Sequence, residues 1–407
     1  MNASPLAQVA FSYPAIDNHA HPLLREENRN AFPFEGLISE ATPGAGLSDA
    51  VTTLACHRAT LQLSKLYRVP TESWEDIKQV RQNVDYTALC RLCFEPTRIQ
   101  CLLLDDGLGG VAEYAASYKW HDQLTQSPSK RIVRVEIVAE NVLKGVMESI
   151  IGSGAVDPSH FMHTFKNQFI AVLRQSAADP EVAGFKSIAC YRTGLDISPM
   201  PSVNELEKGL TMILLRYEAT RTLRLADKVI NDYVVHLTLQ TAGEFQKPVQ
   251  FHTGLGDNDI TLTVSSPAVM QSLIQTYPGT KIVLLHSSYP YTREAGYLTA
   301  VYPNVYLDFG EIFPFLSGEG QRSVIKQVLE LCPTNKIMWS TDGHWWPESY
   351  YLGSIQARQA LYEVLAASVS RQELTETQAI NIFKGALFDN ANRIYNLGLR
   401  PYYSGSA

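Results

Sequence analysis

Cysteine is scarce in this chain: six in 407 residues, scattered at positions 56, 90, 93, 101, 190 and 332. That number and spacing exclude a disulfide framework and fit a reducing compartment. Cys90 and Cys93 form one half of a zinc knuckle, but no second pair follows, and residues 84–94 carry a helical pattern. No metal is expected there. Basic residues are also in deficit, 34 against 41 acidic ones, giving a net charge of −7. No net positive field draws in a polyanion, so nucleic acid is excluded as a partner. Long apolar runs are missing too: no 18 uncharged apolar residues run together, and Met1–Tyr13 holds neither Lys nor Arg. The expectation is a soluble, cytoplasmic protein without a membrane partner. Phosphate-cradling G-x-G-x-x-G and P-loop patterns are lacking as well, which argues against an open dinucleotide-binding sheet.

What remains, 45% hydrophobic and 18% charged residues, is a globular balance. Short apolar or β-branched runs alternate with helical stretches, the signature of a parallel sheet. Eight candidate strands emerge: Ala15–Ala20, Ile99–Leu104, Ile132–Val138, Gly184–Cys190, Val249–His252, Ile282–His286, Val305–Phe309 and Ile337–Ser340. Runs such as Ile282-Val283-Leu284-Leu285 are apolar at every position, which implies burial on both faces. Eight βα units predict an α/β fold, a (β/α)8 TIM barrel filling residues 1–407. Helices are expected over Ser202–Gly243, Pro267–Tyr277, Gln321–Leu331 and Ile355–Val369, and from a capping box at Thr375 and Gln378 towards Phe388. Residues 22–97 exceed what one crossover needs. They read as a mostly helical insertion, with Glu72–Phe94 helical, over the barrel mouth.

The strongest local signal is Asp17-Asn18-His19-Ala20-His21, two histidines one residue apart at the end of the first strand, where i and i+2 face one side. Ten histidines in this length give roughly a quarter of one such pair by chance, so context decides. Three later apolar runs also end in ligand-type residues: His252, His286 and Asp342. If the strands close into a barrel, all five side chains meet at its C-terminal mouth. Three or four imidazoles with a carboxylate suit Zn²⁺ or another borderline divalent ion, Mn²⁺ included.

In these residues the chain resembles the amidohydrolase superfamily, whose pattern is H-x-H on the first strand, Lys or an acid on the fourth, His on the fifth and sixth, and Asp on the eighth. Lys186 supplies the fourth-strand member. Within the superfamily the sequence looks most like the amidohydrolase-2 type and the N-terminal half of fungal FluG-type proteins. The segments that carry this are Ile16-Asp17-Asn18-His19-Ala20-His21-Pro22-Leu23-Leu24, Phe32-Pro33-Phe34-Glu35, Phe185-Lys186-Ser187 continuing to Tyr191-Arg192-Thr193-Gly194-Leu195, and Asn390-Ala391-Asn392-Arg393-Ile394-Tyr395. The resemblance implies one or two ions held by His19, His21, His252, His286 and Asp342. Lys186 is then either a carboxylated bridge or a lysine that snorkels or pairs with an acid. It further implies a metal-activated water as nucleophile and Asp342 as proton acceptor. His286 is either a ligand or the group that polarises the scissile carbonyl.

For substrate binding, Arg192 and Arg58 could each clamp a carboxylate, while Tyr191, His57, His344 and Trp345 are candidate pocket residues. The expected activity is hydrolysis of a C–N amide bond of a small molecule, by resemblance a γ-glutamyl amide linked to glutamine metabolism. The alternatives are a non-oxidative decarboxylase and a catalytically silent barrel used for signalling or assembly. The glutamine-synthetase-like half of FluG-type proteins has no counterpart before Ala407. That activity is expected to be absent or to reside in a separate partner polypeptide; homo-oligomers are also compatible with the sequence.

Overall fold

The computed structural model describes residues 4–41, 44–108, 111–153 and 157–403. Eight parallel strands pair in chain order: β1 Ala15–Ala20, β2 Ile99–Asp105, β3 Lys130–Arg134, β4 Val182–Ser187, β5 Val249–Phe251, β6 Ile282–Leu284, β7 Val305–Asp308 and β8 Ile337–Met338. The predicted TIM barrel is the observed fold. Between β8 and β1 the ring is drawn together by single backbone bonds, from Asn18 N–H to Trp339 O at 3.2 Å and from Asp342 N–H to His19 O at 3.0 Å.

Strand alternation explains the unbroken apolar runs. In β6 and the residue after it, Ile282 and Leu284 join the layer between sheet and helices, while Val283 and Leu285 join the barrel interior. The interior cluster also takes Ile16 from β1, Cys101 and Leu103 from β2, and Met338 from β8. Phe388, Ala391 and Ile394 near the C-terminus pack into the same cluster. Each strand residue thus meets apolar atoms whichever way it points.

Three expectations about elements need correction. The strand expected at Ile132–Val138 stops at Arg134, and a helix occupies Val135–Ser153. Val135, Ala139, Leu143, Val146 and Met147 are buried along one face of that helix, so the 3.6 period prevails over the local β-branched run. The fourth strand likewise begins earlier and ends at Ser187, with Ala189–Tyr191 forming a 3₁₀ turn. The stretch 202–243 is two helices, Val203–Thr220 and Lys228–Glu244. Ser202 with Glu205 makes a capping box for the first, Arg221 ends it in the left-handed region at φ 55°, and the Asp227 side chain caps the second. The expected capping box of Thr375 and Gln378 is formed.

Among the described residues between β1 and β2 are four α-helices, Ala45–Ala50, Leu54–Tyr67, Trp74–Asn83 and Tyr86–Phe94. Phe34, Leu37, Cys56, Leu63, Trp74, Ile77 and Cys93 make a separate apolar cluster with Trp346, Tyr351 and Leu352 from the chain after β8. A buried ion pair between Arg81 Nε and Glu348 Oε1 at 2.7 Å, with the Tyr67 hydroxyl donating to the same oxygen at 2.7 Å, fastens this insertion to the helix Pro347–Ser370. Cys90 and Cys93 are buried on the Tyr86–Phe94 helix as free thiols, and burial pushes the Cys90 thiol up to about 12.

Candidate metal centre

The C-terminal ends of β1, β2, β5, β6, β7 and β8 deliver His19 and His21, Asp105, His252, His286, Glu311 and Asp342 to one place. His19, His286 and Asp342 place donor atoms within 4.8 Å of one another; so do His19, His21 and Asp105, and so do His252, His286 and Glu311. The three groups are chained through His19 and His286. Asp342 Oδ1 lies 3.2 Å from His19 Nε2 and 3.4 Å from His21 Nε2, and His286 Nδ1 lies 3.3 Å from Glu311 Oε2.

The surrounding bonds aim these donors. His21 Nδ1 faces the Asp105 carbonyl at 3.0 Å and His252 Nε2 faces the Leu255 carbonyl at 2.6 Å, which assigns the N–H to those nitrogens and leaves the opposite ones free as lone-pair donors. Asp308 Oδ1 accepts from the His286 and Gly310 N–H groups at 3.1 and 2.9 Å, while its Oδ2 accepts from Asn18 Nδ2 at 2.7 Å. The Asp17 carboxylate accepts from the Thr341 N–H at 2.9 Å and from its hydroxyl, fixing the turn that carries Asp342. His286, Glu311 and Asp342 all have left-handed backbones, with φ of 67°, 57° and 51°, a conformation non-glycine residues hold at some cost and which clusters at functional sites. Gly254 is required where the loops after β5 and β6 cross: its φ is +74°, and a Cβ would come within 2.2 Å of the Tyr289 carbonyl oxygen.

The electrostatics are those of a ligand set. Burial, with Lys186 nearby, brings the His19 imidazole down to about 4; burial also holds His252 and His286 well below the usual histidine range, so all three are neutral at pH 7. Burial works against charge on Asp342, but the neighbouring His286, His19 and His21 hold it well below the usual carboxylate range. Burial, then the charges of Asp342 and Glu40, push Glu311 well up. Two carboxylates in one dry site compete for ionisation, and a divalent cation relieves that competition. Lys186 Nζ lies 2.9 Å from His19 Nε2, and burial brings its amine down to about 8 against the pull of Asp105 and Asp342.

These residues fit a metal. His19 Nδ1, both ring nitrogens of His286, Asp342 Oδ1 and Glu311 Oε2 are buried without a hydrogen-bond partner among the described residues, although these side chains stand in the linked donor groups. Buried polar atoms are nearly always bonded, so a knot of orphaned nitrogen and oxygen donors is the chemistry of a divalent-ion site.

Above the donors opens a cavity of about 480 Å³ lined by His21, Lys186, His252, Glu311 and Asp342 at its base. Arg134, Arg192 and Arg224 stand on one wall, and Glu40, Asp257, His344 and Trp345 also line it. Tyr191 lines it too, its ring 4.3 Å from that of His252. Arg192 Nη2 pairs with Glu140 at 3.4 Å, while its Nε is buried without a partner among the described residues. His57 and Arg58 are not brought to this cavity. His57 is exposed on the helix Leu54–Tyr67, and Arg58 donates to Gln321 and to Gln359, the latter at 3.4 Å.

Sequence reasoning missed Asp105, Arg134, Glu311 and Glu40. Asp105 and Glu311 follow apolar strands, as Asp342 does, so the same signal was available for them. Arg134 was concealed by the overextended third strand. It donates to Asp105 Oδ2 through Nε at 2.9 Å and Nη2 at 2.6 Å, and although burial opposes charge on Asp105, Arg134 keeps that carboxyl well below its usual range.

Comparison with known proteins agrees with this geometry. Residues 225–397 match the family model described as Amidohydrolase, of the Amidohydro_2 type. Protein fluG of Emericella nidulans is 42% identical over 415 residues, covering 98% of this chain and 47% of that protein. The chain therefore spans about half the length of the curated relative it matches. Among solved structures, a protein from Lactobacillus casei described as a metal-dependent hydrolase superposes with a TM-score of 0.79 at 24% identity, covering 97% of this chain and 98% of that one. Uronate isomerase from Thermotoga maritima gives 0.63 at 13% identity, covering 96% and 97%. Those two likenesses are of fold. The chain is thus similar over residues 225–397 to the amidohydrolase family model and over nearly its whole length to one half of fluG, and it shares the eight-stranded barrel of the metal-dependent hydrolase from Lactobacillus casei.

Proposed function

We propose that the protein hydrolyses the C–N bond of an amide whose acyl half carries a carboxylate, with a γ-glutamyl amide as the first substrate class to test. The observation that carries the reading is the knot of orphaned donors from His19, His286, Glu311 and Asp342 at the base of a cavity that Arg134, Arg192 and Arg224 line together with acidic side chains. His19, His21, His252, His286 and Asp342 would hold the metal, Zn²⁺ or Mn²⁺, with Glu311 beside them. The linked donor groups have room for two ions, and Lys186 is then the candidate bridge. A divalent ion bound there supplies Lewis acidity towards water and the acyl oxygen.

The chain's own residues do the rest. Asp342, ionised and 3.2 Å from His19 Nε2, takes a proton from the attacking water and passes it to the departing nitrogen. Arg192, in the loop beyond β4 and on the cavity wall, orients the acyl carboxylate through its guanidinium group. Residues 22–97 act as a cover over the mouth, anchored through Arg81 and Glu348. The free, buried state of all six cysteines supports a reducing, cytoplasmic setting.

The test is metal content per chain, after expression with and without bicarbonate, combined with amide turnover by wild type and Asp342→Asn. Loss of turnover in an Asp342→Asn preparation that still holds metal supports the assignment. Full turnover in that variant, release of CO₂ in place of an amine, or wild type that takes up neither zinc nor manganese refutes it.

A further inference from the structure

Beside the metal cavity lies a second chamber of about 230 Å³, and the two share Glu40, Asp257, His344 and Trp345. Its own walls are mostly apolar where the first cavity's are charged: Phe32 and Trp345 stack with ring centroids 4.3 Å apart, Pro33, Gly36, Ala41 and Leu47 lie beside them, and Ser39 and Asn258 add two neutral polar groups. At the shared neck burial pushes the Glu40 carboxyl up to about 7, and the buried Trp345 Nε1–H has no acceptor among the described residues. The molecule thus holds two joined compartments of opposite character. One has guanidinium groups and the donor knot; the other is a small aromatic box with carboxylates at its entrance.

We propose that this chamber is the subsite for the amine half of the substrate, and that this half is an alkyl or single-ring amine rather than ammonia. The inference rests on the amide-hydrolase reading. The guanidinium groups decide which half goes where: Arg134 and Arg192, each paired with one acid, line the metal cavity and can meet an acyl carboxylate there, whereas no Arg or Lys among the described residues lines the chamber. Hydrolysis adds water across the C–N bond. The hydroxyl oxygen bonds to the acyl carbon, the C–N bond breaks, and both protons of the water end on nitrogen for an alkyl amide, giving a carboxylate and a substituted ammonium; an anilide gives neutral aniline and releases the second proton to solvent. That ammonium is formed at the acidic neck, beside the aromatic face that favours it. Size agrees as well: an apolar cavity of ~150 Å³ is enough to hold benzene, so this chamber takes one ring or a short chain.

The experiment uses the metal-loaded full chain and three γ-glutamyl amides: the primary amide, the n-butylamide and the anilide. Wild type is expected to favour the butylamide or anilide over the primary amide by about tenfold or more in kcat/KM. Leu47→Trp, which fills the chamber, is expected to collapse that ratio. Leu47→Ala, which enlarges it, is expected to move the preference towards a phenethylamide and decides the matter if the first variant does not fold. In parallel, n-butylammonium binding is followed by calorimetry; it should weaken at least tenfold in Leu47→Trp and in Glu40→Gln. If amides are cleaved but their ratios ignore both Leu47 variants, the subsite is overturned while the hydrolase reading stands. If no amide is cleaved, the hydrolase reading fails, and calorimetry alone decides whether the chamber binds amines.

Discussion

His121 offers a quantitative test of how the first strand's exit is held. It lies in the 3₁₀ segment Tyr118–Gln123 and is fully buried. Its Nε2 accepts the Leu23 N–H at 3.0 Å, two residues beyond His21, and its Nδ1–H donates to the Ser117 carbonyl at 3.0 Å. Only the neutral ring can accept at Nε2, and burial brings the imidazole from 6.5 down to about 4. The folded value lies below the unfolded one, so the unfolded chain binds the proton first as pH falls. The stabilisation is complete above pH 6.5 and is lost progressively down to pH 4. A gap of that size corresponds to about 3 kcal/mol, at 1.36 kcal/mol per pKa unit. His121→Gln keeps an acceptor for Leu23 but cannot titrate. Urea unfolding of both proteins at pH 4 to 7.5 should show wild type losing about 3 kcal/mol more than the variant, whatever their offset at neutral pH. Subtraction removes the other buried histidines, which titrate in both. Parallel curves would refute the argument, because they would mean that His121 is charged or solvated in the folded state.

Other consequences can be measured. Asp105→Asn leaves the Arg134 guanidinium buried without its counter-charge, and loss of one partner of such a pair costs about 3–5 kcal/mol in urea unfolding. Gly254→Ala forces a side chain into left-handed backbone against the Tyr289 carbonyl; it should destabilise by more than about 1 kcal/mol and lower metal content per chain, since His252 and His286 sit on the two loops involved. Chelation should lower thermal stability, and zinc restored at a hundredfold excess over its dissociation constant should return about 2.7 kcal/mol; an unchanged melting curve would show that the donor knot holds no ion.

What was legible in the sequence follows from which forces are local. The eight strands announce themselves because a barrel strand meets apolar atoms on both sides, so Ile282 to Leu285 must all be apolar whatever else the protein does. His19, His21, His252, His286 and Asp342 were legible for a related reason: a polar donor directly after such a run can only emerge at the mouth. Asp105 and Glu311 obeyed the same rule and went unread, because the pattern of histidines drew the assignment towards the superfamily's usual members. Arg134 failed on a boundary: Val135 and Ile137 suit a strand locally, and only packing of the helix Val135–Ser153 on the sheet shows that the strand ends at Arg134, four residues before Val138. Arg58 and Arg192 could not be told apart from sequence, since each is one arginine in a long connection. The difference lies in tertiary partners, Gln321 and Gln359 for the first and the cavity wall for the second. The most cryptic members are Glu40 and Leu47, whose surroundings are assembled from the insertion, the loop after β5 and the turn after β8. No period, cap or motif encodes such a convergence. Residues that generate chemistry at strand ends are therefore readable from one sequence, whereas those that choose the substrate become visible only once the barrel has closed.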